Sequence, residues 1–128
     1  MWINRKGLAA LLLLALTACE QDKIDKIEGF DQQAWLQDQR GCKNTRRDQA
    51  QFLYDHQDQF IGKEIEALII FLGPAEKTNY LGRQKYFYHY YIENGKQCGD
   101  SVATDGDQLV VEAEAMGRIR NLRFENGI

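Results

Sequence analysis

Three thiols, Cys19, Cys42 and Cys98, are the residues of this chain whose chemistry depends most on their surroundings. Cys19 follows Leu16-Thr17-Ala18 at the end of a 9-residue apolar stretch, Leu8 to Leu16, which is preceded by Arg5 and Lys6. A basic start, a short apolar segment and small residues ahead of a cleavage point are the parts of a secretory signal. A cysteine directly behind them would be the first residue of the processed chain. Cys42 and Cys98 then remain in a compartment where thiols are oxidised, and a disulfide between them is the expected product.

The run Leu16-Thr17-Ala18-Cys19 resembles a bacterial lipobox. Read so, residues 1–18 are a lipoprotein signal peptide, Cys19 is the lipidation site and the mature chain has 110 residues. A retained transmembrane helix is the competing reading. It needs about 20 apolar residues, and Glu20, Gln21 and Asp22 halt the segment well short of that. One acyl chain anchors only marginally, each buried methylene being worth about 0.8 kcal/mol, so stable attachment takes more than one chain. Glu20, rather than an aspartate, follows the cysteine, which resembles an outer-membrane address.

Other chemistry is poorly provided for. A metal site recruiting His56 and His89 to Cys42 and Cys98 lacks any C-x-x-C pair or regular histidine spacing. Ser101 is the only serine, in a polar stretch, Gly99-Asp100-Ser101, with no strand-to-helix elbow to present a nucleophile. H-E-x-x-H, the phosphate-binding G-x-x-x-x-G-K-[ST] and G-x-G-x-x-G are absent. Asp100, Asp105 and Asp107 read as an acidic turn without the order of a calcium loop. Glu112 and Glu114 share one strand face, expected to be open to solvent, where neither acquires the raised pKa of an acid catalyst. The expectation is a protein that is not an enzyme and has no metal or cofactor.

Charge bounds the partners. The chain carries 16 basic and 19 acidic residues, and removing the leader takes away Arg5 and Lys6 only. No basic stripe interleaved with aromatics is left to neutralise phosphates, so nucleic acid is not an expected partner. Residues 19–29, from Cys19 through the polar run Glu20 to Gly29, read as a tether. Its ten residues after the cysteine have a flexible-chain span of roughly 17 Å.

The elements that must position these groups change period midway. Phe30, Ala34 and Trp35 fall on one side of a short helix ending near Arg40 and Gly41. Thr45-Arg46-Arg47-Asp48 fits the capping-box pattern and predicts a second helix with Ala50, Leu53, Tyr54 and Phe60 or Ile61 buried, and His56 beside the solvent face. Ile65, Leu68, Ile69 and Leu72 form an amphipathic stripe that Gly73-Pro74 stops. Beyond it, Tyr86, Tyr88, Tyr90 and Ile92 alternate with Phe87, His89 and Tyr91 as a strand running to a tight turn at Asn94-Gly95. Leu109 to Ala115 and Arg118 to Glu125 are further strands about a reversal at Met116-Gly117. The parity change between Ile119 and Leu122 predicts a bulge or a twisted edge. Helices followed by strands argue for a two-layer α+β domain over residues 30–128, with the helices on one face of a three- to four-stranded antiparallel sheet.

Phe60-Ile61-Gly62-Lys63-Glu64-Ile65, Leu72-Gly73-Pro74, the Tyr86-Phe87-Tyr88 strand and Gly117-Arg118-Ile119, in that order, resemble the BamE/SmpA-type outer-membrane lipoproteins. The resemblance covers about residues 30–128. It implies two helices before a three-stranded antiparallel sheet, and an accessory role as a protein-binding module in outer-membrane protein assembly or envelope maintenance. The β-lactamase-inhibitor-like domains have a related layout, so a periplasmic inhibitor or small-ligand-binding module is the second expectation. Trp35-x6-Cys42-x3-Arg46 and the Cys42 to Cys98 bridge depart from the assembly-factor pattern and resemble a broader set of BamE-like lipoproteins.

One surface stands out. Tyr80, Tyr86, Phe87, Tyr88, Tyr90 and Tyr91 crowd a short region, more aromatic material than one sheet face of a small domain buries. Phe87 and Tyr91, with His89 between them, are the expected exposed half and the candidate interface for an envelope protein partner. The alternative is that helices or the connection from Gly95 to Gln108 cover this face. Arg47 joins the candidate interface as a cation able to grip a partner carboxylate, against its pairing with a nearby acid of its own chain.

Overall fold

The computed structural model describes residues 23–99 and 104–127. Cys19, the leader, Asp100 and Ser101 lie outside them. Three helices, α1 (Gln32–Gln37), α2 (Arg46–Asp55) and α3 (Ile65–Leu72), precede β1 (Lys77–Tyr80), β2 (Lys85–Tyr91), β3 (Gln108–Glu114) and β4 (Ile119–Glu125). The strands form one antiparallel sheet in the order β1-β2-β3-β4. The fold is therefore α+β, with the helices packed on one sheet face.

Period-two alternation decides that face. Tyr90, Leu109, Val111, Ala113, Ile119 and Leu122 point toward the helices and meet Trp35, Leu53, Phe60, Leu68, Phe71 and Leu72 in a single core. The predicted bulge is present: Glu112 pairs with Asn121 but Ala113 pairs with Ile119, so Arg120 is the extra residue and the parity of β4 is restored beyond it. Between β2 and β3 the chain takes a long connection with a 3-10 turn at Lys96–Cys98, in place of the tight turn expected at Asn94-Gly95.

The described chain starts before the expected domain boundary. Ile27 is buried and Ile24 packs against the core, so part of the segment read as a polar tether belongs to the folded body. β1 was not legible as a strand, because Lys77-Thr78-Asn79-Tyr80 offers no apolar alternation. It forms through backbone pairing with His89, Tyr88, Phe87 and Tyr86.

The helix ends show how local sequence is overruled. Thr45 has helical backbone and its side chain caps nothing. Instead the buried carboxylate of Asp38 accepts from the N–H groups of Lys43 (2.7 Å), Thr45 (2.8 Å) and Arg46 (3.0 Å) and from the Thr45 hydroxyl (3.0 Å). Burial pushes the Asp38 pKa up, but these four donors outweigh it and hold the pKa below the ordinary carboxylate value. A depressed folded pKa stabilises at neutral pH, and that stabilisation is lost as pH falls through the folded value. Asp38→Asn is accordingly expected to lower stability by about 2 kcal/mol at pH 7 and to flatten the acid side of the stability profile, as read by urea unfolding at pH 7 and pH 3.

At the other end of the helical layer, α3 leaves its last carbonyls facing inward with no basic residue in its final turn. Side chains satisfy them: the Gln32 amide donates to Phe71 (2.9 Å), the Trp35 indole to Leu72 (3.0 Å) and the Tyr90 hydroxyl to Gly73 (2.8 Å). Trp35 and Tyr90 thus bury large apolar bodies and supply the polar handles that α3 needs.

Candidate functional site

The sheet face away from the helices carries the aromatic residues singled out from the sequence, and they are buried rather than exposed. Phe87, His89 and Tyr91 retain 6%, 5% and 4% of their surface. Polar residues of the sheet contribute to their cover. The Arg123 guanidinium lies 4.8 Å from the centre of the Phe87 ring. His89 is flanked by Gln108, 2.7 Å from Nδ1, and by Asn79, 3.4 Å from Nε2. Glu112, expected to face water, is also buried, with Asn121 donating to it (2.5 Å) and the Lys85 ammonium 3.5 Å away. Side chains of neighbouring strands thus lie against Phe87 and His89, a form of cover that alternation of polar and apolar residue types does not reveal.

Burial lowers the His89 pKa, and its contact with Gln108 only partly offsets this. A histidine held neutral stabilises above its unfolded pKa, and that contribution falls as pH drops through about 6.5 toward the folded value. The melting temperature is expected to decrease between pH 7 and pH 5, and His89→Gln to remove that slope, as measured by thermal unfolding across the interval.

Arg47 is held by its own chain. It donates to Glu93 (2.8 Å) and Asp107 (2.5 Å), which ties α2 to both ends of the β2 to β3 connection. The Asp107 contact raises the Arg47 pKa, and Arg47 in turn holds Asp107 below the usual carboxylate range. Gly127 also donates its N–H to Asp107, and Lys96 donates its N–H to Asp105, so these acids serve the fold. His56 stacks on Phe52, with ring centres 4.1 Å apart, beside the solvent face as expected. Tyr54, expected in the core, is partly exposed, with its ring 5.1 Å from that of Phe124.

The Cys42 to Cys98 disulfide forms, with Cα atoms 5.7 Å apart. It fastens the segment after α1 to the β2 to β3 connection. Gly41 makes the close approach possible: its φ is +69°, and a Cβ there would lie 2.7 Å from the Glu93 nitrogen and 2.8 Å from the Tyr91 carbonyl.

The densest constellation is one the sequence reading did not assemble. Arg46 is buried in the first turn of α2, with its guanidinium 4.6 Å from the centre of the Trp35 ring. It donates to the Glu76 carboxylate (2.6 Å), to the Trp35 carbonyl (3.1 Å) and to the Tyr91 carbonyl (3.2 Å). Glu76 also accepts from the Arg40 N–H (3.1 Å), while its second oxygen is buried without a hydrogen bond. Beside this knot lies a groove of about 320 Å³ lined by Leu36, Arg40, Leu72, Pro74 and Glu76 among others. Trp35-x6-Cys42-x3-Arg46 was the visible half of the signal. Glu76 follows a proline stop and had no pattern to mark it.

The groove has an apolar wall, Leu36 with Leu72 and Pro74, and a polar wall on which cation and carboxylate already neutralise each other. Such a surface suits binding of a side chain or small group with an apolar body and a polar tip. Among the described residues no group of three or more histidine, cysteine, aspartate or glutamate side chains is arranged to hold a metal ion, and no helix is long and apolar enough to cross a membrane. Compared with known proteins, the chain matches no family model, no curated protein and no solved structure.

Proposed function

We propose that this protein is an exported, lipid-anchored envelope protein, at the outer membrane and facing the periplasm, that acts by binding another protein rather than by catalysis. The observation that carries the reading is Leu16-Thr17-Ala18-Cys19 behind a short apolar run and two basic residues. The Cys42 to Cys98 disulfide supports it, since such bonds persist in oxidising compartments. Helices ahead of an antiparallel meander agree with a BamE-like role in outer-membrane protein assembly or envelope maintenance, although fold likeness alone does not transfer function.

With Phe87, His89 and Tyr91 buried, the groove between Leu36 and Pro74 replaces them as the docking surface of this reading. Its size also favours a second reading, a periplasmic inhibitor or small-ligand-binding module with the same architecture.

The test is the state of Cys19 in cells. The membrane fraction is expected to hold a chain that begins at Cys19, with acyl chains on the tryptic peptide Cys19 to Lys23, and Cys19→Ala is expected to abolish processing at this point. A photo-crosslinker at Leu36 is then expected to capture an envelope protein. A water-soluble chain with Met1 and all three thiols intact overturns the proposal.

A further inference from the structure

Three loops meet at one end of the sheet. The β1 to β2 turn presents Leu81, 68% exposed, and Arg83. The β3 to β4 turn presents Met116, 83% exposed, followed by Arg118 and Arg120. The connection before α3 brings Ile61 and Lys63 to the same place, because Gly62 donates its N–H to Ile119, Ile119 donates back to Lys63, and Ile65 donates to Gly117. Hollows of about 470 Å³ and 150 Å³ flank Met116; the larger touches Ile61, Arg118 and Arg120, the smaller Arg83, Lys85 and Arg120, and Glu114 borders both.

The charge at this end runs against the rest of the chain. Lys23, Lys63, Arg83, Lys85, Arg118 and Arg120 gather there against Asp25, Glu64, Glu66 and Glu114, in a protein whose net charge is −3. Lys85 lies near Glu112, and Arg118 donates to the Gly62 carbonyl. Arg83 and Arg120 are exposed on either side of Met116. Gly82, Arg83 and Gln84 all have positive φ (68°, 48° and 61°), a backbone that arginine and glutamine rarely adopt, and Arg83 is exposed in the middle of this turn. Exposed methionine and leucine tips flanked by guanidinium groups are the chemistry of a protein surface that enters an anionic bilayer interface.

The covalent path points the same way. Lys23, Ile24 and Asp25 line a hollow with Glu64, Glu66 and Ile70 along α3, so the described chain enters beside the first turn of that helix, at this end. Four peptide steps separate Lys23 from Cys19 and span at most about 14 Å.

We propose that this end of the domain, with Leu81 and Met116 inserted and Arg83 and Arg120 on lipid phosphates, seats on an anionic phospholipid surface. The length argument rests on the lipid-anchor reading, whereas the chemistry of the turns does not. Seated so, the domain turns its disulfide and the groove at Pro74 away from the bilayer, because both lie at the opposite end of the strands.

The test reconstitutes the full chain into vesicles of phosphatidylcholine alone or of equimolar phosphatidylcholine and phosphatidylglycerol and follows amide exchange. Backbone amides of residues 81–85 and 115–120 are expected to exchange about tenfold more slowly on the anionic vesicles, while the exposed face of α2 is unchanged. Arg83→Gln with Arg120→Gln is expected to remove the difference, and Met116→Ser to reduce it, with α2 exchange reporting that each variant is folded. Equal exchange on both vesicle types overturns the proposal, as does protection that appears only when an acidic protein is added. The intact mass of the same sample reports acylation separately, so an unmodified Cys19 removes the anchor reading while the lipid contrast still judges the turns.

Discussion

Arg46→Ala is expected to lose about 3–5 kcal/mol of folding stability, the range for stranding one member of a buried ion pair. The guanidinium holds three elements at once, through Glu76 ahead of β1, the Trp35 carbonyl in α1 and the Tyr91 carbonyl at the end of β2. Its removal leaves the Glu76 carboxylate in a low-dielectric setting with only the Arg40 N–H to meet it. The attraction in the pair is large, but so is the cost of desolvating both charges, so the net worth of the intact pair is small while the cost of half of it is not. Arg46→Met combined with Glu76→Leu is therefore expected to recover most of the loss. Urea unfolding of the two single variants and the double variant, followed by Trp35 fluorescence, checks this. A loss below about 1 kcal/mol in Arg46→Ala means that the pair is in effect solvated.

Removing the disulfide is expected to cost nearly as much. The two cysteines are 56 positions apart, for which the chain-entropy model gives roughly 4 kcal/mol. Cys42→Ser with Cys98→Ser, or reduction of the native protein, is expected to lower stability by about 2–4 kcal/mol. Arg40, Gly41 and Asn44 in the segment it fastens all have positive φ, conformations that persist only where the surroundings enforce them. Besides the bond, Asp38 accepts from the Lys43 N–H, Glu76 from the Arg40 N–H, and Asn94 donates to the Cys42 carbonyl and the Asn44 side chain. Chemical unfolding with and without dithiothreitol measures the global term, and amide exchange at residues 40–44 the local one. An unchanged midpoint after reduction shows that the buried Gln97, which donates to the Arg40 and Glu93 carbonyls and accepts from Gly106, holds the connection without the bond.

Much of the architecture was legible in the chain because periodicity reports which face is buried. The stripe in α3, the alternation in β2 and β3 and the displaced parity at Ile119 each map onto an observed element. What was not legible depends on partners distant in sequence. β1 has no apolar pattern and exists through its pairing with β2. The cap of α2 comes from Asp38, seven residues before Thr45, and not from Thr45 itself. The error over Phe87, His89 and Tyr91 has the same origin: residue types indicate that a second sheet face is apolar, but not that Arg123, Asn79 and Gln108 lie against it. Arg46 falls on the first turn of α2 as the Thr45-Arg46-Arg47-Asp48 pattern predicts, but which groups it meets was not legible, because its acceptors Glu76 and Tyr91 are brought in only by the sheet.

The two margins of the sheet carry a further consequence. β1 is only four residues long and begins with a lysine, and along the start of β4 the Gly62 and Lys63 backbone and the Gln57 side chain already occupy positions that a foreign strand would need. An unoccupied strand margin is a template on which other chains polymerise, and shortness, charge and occlusion each blunt it. A meander finished this way offers a second copy of the chain little free backbone on which to add a strand.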